Sequence, residues 1–191
     1  MRKERLEAFS DGVLAIIITI MVLQLKPPRE ATLGGLLPLV PDLLGYLLSF
    51  IFLGIYWSNH HHLCQAISKV DGRVLWTNLH LLFWLSLIPF VTAWAGENHV
   101  ASVPTALYGV ILLLAAIAYY VLTRTLIMLH GEGSVLAKAV GSDFKGKISV
   151  VIYALAIPLA FVDSRISFAL YVLVAFLWLV PDRRIENILG R

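Results

Sequence analysis

Residues 5 to 26, RLEAFSDGVLAIIITIMVLQLK, form an apolar run of membrane-spanning length that carries one carboxylate, Asp11, inside it. A helix needs about 20 apolar residues to cross a bilayer, and Pro27 and Pro28 end this one. An ionisable side chain within such a helix costs about 2.5 to 3.5 kcal/mol on insertion scales, so it faces protein or water and has partners. Asp11 is therefore the first residue expected to matter for function.

Helical geometry divides this segment into two faces. At about 100° per residue, Thr19, Ile20 and Leu23 fall within about 60° of Ile16 and form one stripe. Asp11 lies about 140° from Ile16 on the same scale and is expected to face neighbouring helices. Arg5 sits near the meridian of the stripe, off the face of Asp11, so the two are not expected to pair within the helix.

The whole chain repeats this apolar character. It is 59% hydrophobic and only 14% charged over 191 residues, with a mean hydropathy of +0.84, which excludes a soluble domain of this length. Six runs are read as spans, at about 7–26, 42–64, 73–95, 103–129, 148–163 and 166–181. The predicted fold is an all-α membrane protein, with residues 1–191 as a single six-span unit and both termini on one side.

Basic residues set the orientation. Twelve of the fifteen Lys and Arg (Arg2, Lys3, Arg5, Lys69, Arg73, Arg124, Lys138, Lys145, Lys147, Arg183, Arg184 and Arg191) lie on the amino-terminal side. Lys26, Arg29 and Arg165 lie opposite. The positive-inside rule then places both termini in the cytoplasm of a multi-pass protein of the cell membrane. These flanks account for the net charge of +3, and no nucleic-acid partner is implied. Cys64 is the single cysteine, so an intrachain disulfide is excluded. Asp11 and the lack of a small-residue cleavage site argue against a cleaved signal peptide.

Three further polar residues stand at the depth of Asp11. Trp57 precedes His60 by three residues on one face of the second span, and Asn78 lies in the first two turns of the third. A buried amide in hydrocarbon needs a partner, and Asp11, His60 and Asn78 could supply one another. Read without further context, the Trp and His equally suit an interfacial belt. His61 and His62 are expected at headgroups or solvent. Adjacent histidines point about 100° apart on a helix and do not converge on one metal ion, so no metal or other cofactor is expected. Pro89 should kink the third helix. The fourth span carries no ionisable group before Arg124 and is expected at the lipid-facing periphery. Residues 27–41 and 130–147 read as connectors from their Gly and Pro content.

The segment Arg5-x-x-x-Phe9-Ser10-Asp11 resembles the signature that opens the first helix of the transmembrane protein 175 family, the endolysosomal potassium channels and their bacterial relatives. The resemblance continues through Ile16, Ile20 and Leu23, Trp57-x-x-His60, Asn78 and Pro89, and fades after about residue 95 to hydropathy alone. It implies a potassium-permeable cation channel, a homo-oligomer of four chains whose first helix lines a central pore. Ile16, Ile20 and Leu23 would form the constrictions, with Thr19 beside them. Arg5, Ser10, Asp11, Trp57, His60 and Asn78 would form a polar network between helices. Potassium and other monovalent cations would be the permeant ions.

Hydrophobic rings can gate by excluding water, and no Thr-Val-Gly-Tyr-Gly filter is present. The same stripe without the signature beside it would read as ordinary helix packing. The competing function is a proton-coupled secondary transporter using Asp11 and His60, against which stands the absence of an internal repeat or paired broken helices. A membrane enzyme using His60, His61 and Asp11 lacks a nucleophile with a positioned base, so no catalytic residue is assigned.

Overall fold

The computed structural model describes residues 3–28, 30–141 and 143–179, and among these it is all helical, without a strand. The elements are α1 (Lys3–Leu23), a 3-10 helix (Leu33–Leu39), α2 (Val40–Gln65), α3 (Gly72–Ser86), α4 (Ile88–Glu97), α5 (Ser102–His130), α6 (Val135–Val140), α7 (Phe144–Leu159) and α8 (Ser164–Leu179). Among the described residues, four stretches are long and apolar enough to cross a membrane: Lys3–Leu23, Leu33–Gln65, Gly72–Glu97 and Ser102–His130. The helices α7 and α8 have 16 residues each. Of the basic residues used to orient the chain, Arg2, Arg29, Arg183, Arg184 and Arg191 lie outside the described residues.

Local chemistry explains most boundaries. Asp71 caps α3 by accepting from the Val74 amide at 3.0 Å. The expected break at Pro89 is present: α3 ends at Ser86, Leu87 is the junction, and α4 starts at Ile88 with the proline in its first turn, where a missing N–H costs nothing. Within the connector read from 27–41, the chain is more ordered than its prolines and glycines suggest. Thr32 accepts from the Gly35 amide at 3.2 Å and starts the 3-10 helix that leads into α2.

The position of α5 corrects the expectation that the fourth span is peripheral. It packs against α3, α4, α7 and α8 and is the central helix of the bundle. Small residues allow this. Ala115 and Ala118 are fully buried, and at Gly109 an added Cβ would sit 2.2 Å from the Tyr171 hydroxyl of α8. That hydroxyl donates to the Thr105 carbonyl at 3.1 Å. Absence of charge marked this helix as apolar on all sides, which fits a buried helix as well as a lipid-facing one.

A hydroxyl chain also pins α5 to α2 and α4. Thr92 Oγ1 donates to the Ile88 carbonyl at 2.7 Å, so Ser49 Oγ, 2.6 Å away, must donate to Thr92. Tyr108 Oη then donates to Ser49 across 2.8 Å. Each hydroxyl uses its one proton, and the chain is satisfied in a buried setting.

Candidate functional site

The two faces of α1 meet different surroundings. Leu6, Ser10, Leu14, Ile17 and Met21 form the buried face, packed against α2, α3 and α4. The opposite face is bare. Ile16 is 60% exposed, Ile20 47% and Leu23 77%, and Thr19 is exposed between them. The Thr19 hydroxyl donates to the Ala15 carbonyl at 2.8 Å, within its own helix. Ile17, one residue from Ile16, is only 4% exposed. On a membrane helix an uncovered aliphatic row of this kind suits lipid, a neighbouring copy or a pore lining.

On the protein side, α1 and α2 run antiparallel and are joined by three polar rungs. Lys3 Nζ donates to the Cys64 and Ile67 carbonyls at 3.4 and 3.2 Å, a cation placed on the carbonyl end of α2. Glu7 Oε1 meets His61 Nδ1 at 2.9 Å. Trp57 Nε1 donates to Asp11 Oδ1 at 3.0 Å. The imidazole of His61 also lies parallel to the Trp57 ring, with centroids 6.2 Å apart. Its Nε2 is 2.8 Å from Gln65 Nε2 and accepts from that amide, which leaves Nδ1–H to donate to Glu7.

Behind this ladder runs a second, fully buried chain. His60 Nε2 is 2.8 Å from Asn78 Oδ1, and an amide oxygen only accepts, so His60 carries its proton on Nε2. His60 Nδ1 is then the acceptor for the Cys64 thiol at 3.7 Å. Asn78 Nδ2 donates onward to Ser10 Oγ at 2.9 Å, and Ser10 donates to the Leu6 carbonyl at 2.9 Å. One direction of donation therefore links α2 to α3 and α3 to α1.

The geometry brings Ser10, Asp11, Trp57, His60 and Asn78 to the junction of α1, α2 and α3, but in two separate sets. Asp11 bonds to Trp57 and to neither His60 nor Asn78. Arg5 is exposed and joins neither set. His61 and His62 retain part of the expected exposure, with 40% of the His61 side chain uncovered. Both are half-buried, His61 because Glu7 and Gln65 hold it, and His62 with a buried Nδ1 that has no partner. Glu7 was missed from sequence, although its place four residues before Asp11, matching His61 four after Trp57, carried the signal.

A family model described as "Endosomal/lysosomal potassium channel TMEM175" matches residues 5–89. A potassium channel of Chryseobacterium sp. (strain P1-3) is 54% identical over 187 residues, 98% of this chain and 97% of that protein. The chain belongs to the TMEM175 family. A potassium channel of Streptomyces collinus is 31% identical over 183 residues, covering 90% of this chain and 88% of its own. The crystal structure of a lysosomal potassium-selective channel TMEM175 homolog from Chamaesiphon minutus superposes with a TM-score of 0.80 at 27% identity, over 94% of this chain and 97% of that one. The TMEM175 likeness thus extends past residue 95 into α5 to α8, where the sequence alone showed only hydropathy. This TMEM175 member is a membrane protein with the all-helical fold of that channel.

Proposed function

We propose that this chain is a potassium-permeable cation channel of the cell membrane, built as a homotetramer around a pore lined by α1. The carrying observation is the bare row of Ile16, Thr19, Ile20 and Leu23 on a helix whose other face is fully engaged with α2, α3 and α4. A single helix cannot enclose a path, so copies of this row must meet around an axis. They then form stacked aliphatic rings that offer no oxygen to an ion and close by excluding water. The names of the relatives, potassium channels and a potassium-selective channel, support potassium as the permeant ion.

Each chain, residues 1–191, is one unit of six spans: α1, α2, α3 with α4, α5, α7 and α8. Both termini are cytoplasmic, as the distribution of Lys and Arg favours. Arg5, Ser10, Asp11, Trp57, His60 and Asn78 hold α1 in place and do not touch the permeating ion. Arg5, which has no part in the two hydrogen-bonded sets, would act from the exposed side of α1, toward a neighbouring copy.

Recording from the purified protein in planar bilayers with mixed potassium and sodium tests this reading. Unitary steps with a reversal potential shifted toward potassium are expected. Slow, saturable flux without steps would instead favour a carrier using Asp11 and His60.

A further inference from the structure

A cavity of about 430 Å³ lies among α2, α5, α7 and α8, away from the exposed face of α1. Its size is that of a small-molecule site. The walls are apolar and aromatic, with Phe52, Tyr56, Ala116 and Tyr153 among them. Several polar groups around it are held within the protein: Tyr119 Oη donates to the Asn59 carbonyl at 3.4 Å, Asn59 Nδ2 to the Ile55 carbonyl at 2.9 Å, and Trp178 Nε1 to Ser149 Oγ at 2.9 Å.

The rim has a different character. On its flank, Ile117, Tyr120 and Val151 are exposed apolar side chains that open toward the surroundings of the bundle. At the end nearest the start of α7 stand Lys147, exposed, and Asp143. The Asp143 carboxylate accepts from the Gly146 amide at 3.2 Å and so caps α7. Lys145 reaches over the Trp178 ring, 6.0 Å from its centroid. An apolar slot open sideways, with ammonium groups at the end where a headgroup layer would lie, has the polarity of a lipid in a leaflet.

We propose that this cavity binds one acyl chain of a phospholipid from the leaflet on the amino-terminal side, with its phosphate on Lys147. The proposal rests on the six-span reading only for the placement of α5, α7 and α8 in the bilayer.

The test uses the full-length oligomer in liposomes doped with phosphatidylglycerol or phosphatidylethanolamine bearing a diazirine midway along one acyl chain. A fatty acid with the same diazirine chain is run in parallel. After illumination, adducts are mapped by peptide mass spectrometry. Adducts concentrated on residues 116–120 and 147–153 are expected from both phospholipids, well above those from the fatty acid. Ala116→Phe, which fills the slot, and Val151→Trp, which blocks the rim from an exposed position and spares the core, should each abolish them. Lys147→Gln should weaken phospholipid labelling about tenfold, the loss of one charged hydrogen bond.

Leu173 and Phe176, exposed on α8, report background contact with lipid. Background labelling without cavity labelling overturns the cavity proposal alone. Loss of both overturns the bilayer placement and the cavity with it. Labelling indifferent to the two blocking variants, or equal with the fatty acid, also overturns it. So does labelling that appears only after residues 180–191 are deleted, which would make the tail the occupant, or chain-to-chain cross-links across the slot, which would make a second copy the occupant.

Discussion

The indole N–H of Trp57 and the Asp11 carboxylate are 3.0 Å apart and join α2 to α1, on a side of α1 turned well away from the exposed Ile16 row. This separates two roles within one helix of 21 residues. One side is held, and the other is uncovered within a single chain.

Asp11→Ala and Trp57→Phe should therefore each destabilise the folded chain by about 0.5–1.5 kcal/mol, the net worth of one partly exposed hydrogen bond. The double variant should cost little more than either single one, since both remove the same bond. Thermal unfolding of detergent-solubilised protein, followed by size-exclusion chromatography, measures this. Asp11→Asn keeps an acceptor but loses the charge, and it should impair assembly or stability more than it alters ion selectivity. A shifted reversal potential with the oligomer intact would contradict the structural role.

In the proposed oligomer, Ile16, Ile20 and Leu23 would form rings about 4.5 to 6 Å apart in depth. Ile16→Asn brings polar groups into such a ring and should raise basal current and weaken discrimination between potassium and sodium. Ile16→Leu keeps the ring apolar and should leave both nearly unchanged. A substitution at Ile17 is a poor control despite its different angle, because that side chain is core and Asn there would unfold the contact with neighbouring helices. Patch recordings of Ile16→Asn and Ile16→Leu at matched surface expression decide the matter.

Gly109→Ala should be destabilising by about 1–3 kcal/mol through overpacking, since its Cβ would meet the Tyr171 hydroxyl at 2.2 Å. Tyr171→Phe removes that oxygen. The pair Gly109→Ala and Tyr171→Phe should therefore be more stable than the sum of the single effects predicts. Rescue is partial, because the Cζ ring carbon of residue 171, which phenylalanine keeps, would lie 2.9 Å from the new Cβ and Ile157 Cγ1 3.1 Å from it. Thermal midpoints of the four proteins give the coupling directly.

Burial pushes the Asp143 carboxyl above its ordinary range, against the opposing pull of the Gly146 amide and Lys147. A carboxyl raised in the folded state favours folding when protonated. Its contribution is fully present below the unfolded value of about 3.9 and is lost as pH rises through the higher folded value. Asp143→Asn keeps the capping oxygen and tolerates the left-handed φ of 44° at this position. It should melt higher than the parent at about pH 7 and together with it below about pH 3.9. A higher melting point at both values would indicate a cause other than ionisation.

The helices themselves were legible in the sequence because hydropathy and proline punctuation fix them locally: Pro27 and Pro28 after α1, and Pro89 between α3 and α4. The depth shared by Asp11, His60 and Asn78 was legible too. Their pairing was not, since partner choice depends on the rotation of α2, and that rotation puts Trp57 and His61 toward α1 and His60 toward α3. The Ser49, Thr92 and Tyr108 chain gave no signal, because isolated hydroxyls are common in apolar helices and only the packed bundle brings these three together. For α5 the pattern was ambiguous in principle. A helix apolar on every side suits lipid or protein equally, and its alanines and Gly109 were the only hint of close neighbours.

The central place of α5 has a consequence for how the chain is made. Helices enter the membrane in order from the ribosome, and α1 to α4 all precede the element that closes them. Until Ser102–His130 arrives, the buried face of α3, with Val74, Leu81 and Leu85 on it, lacks its largest partner. The same arrival creates the surface on which α7 and α8 dock. A chain halted before Ser102 would therefore carry an uncovered seam along α3, the future bed of α5.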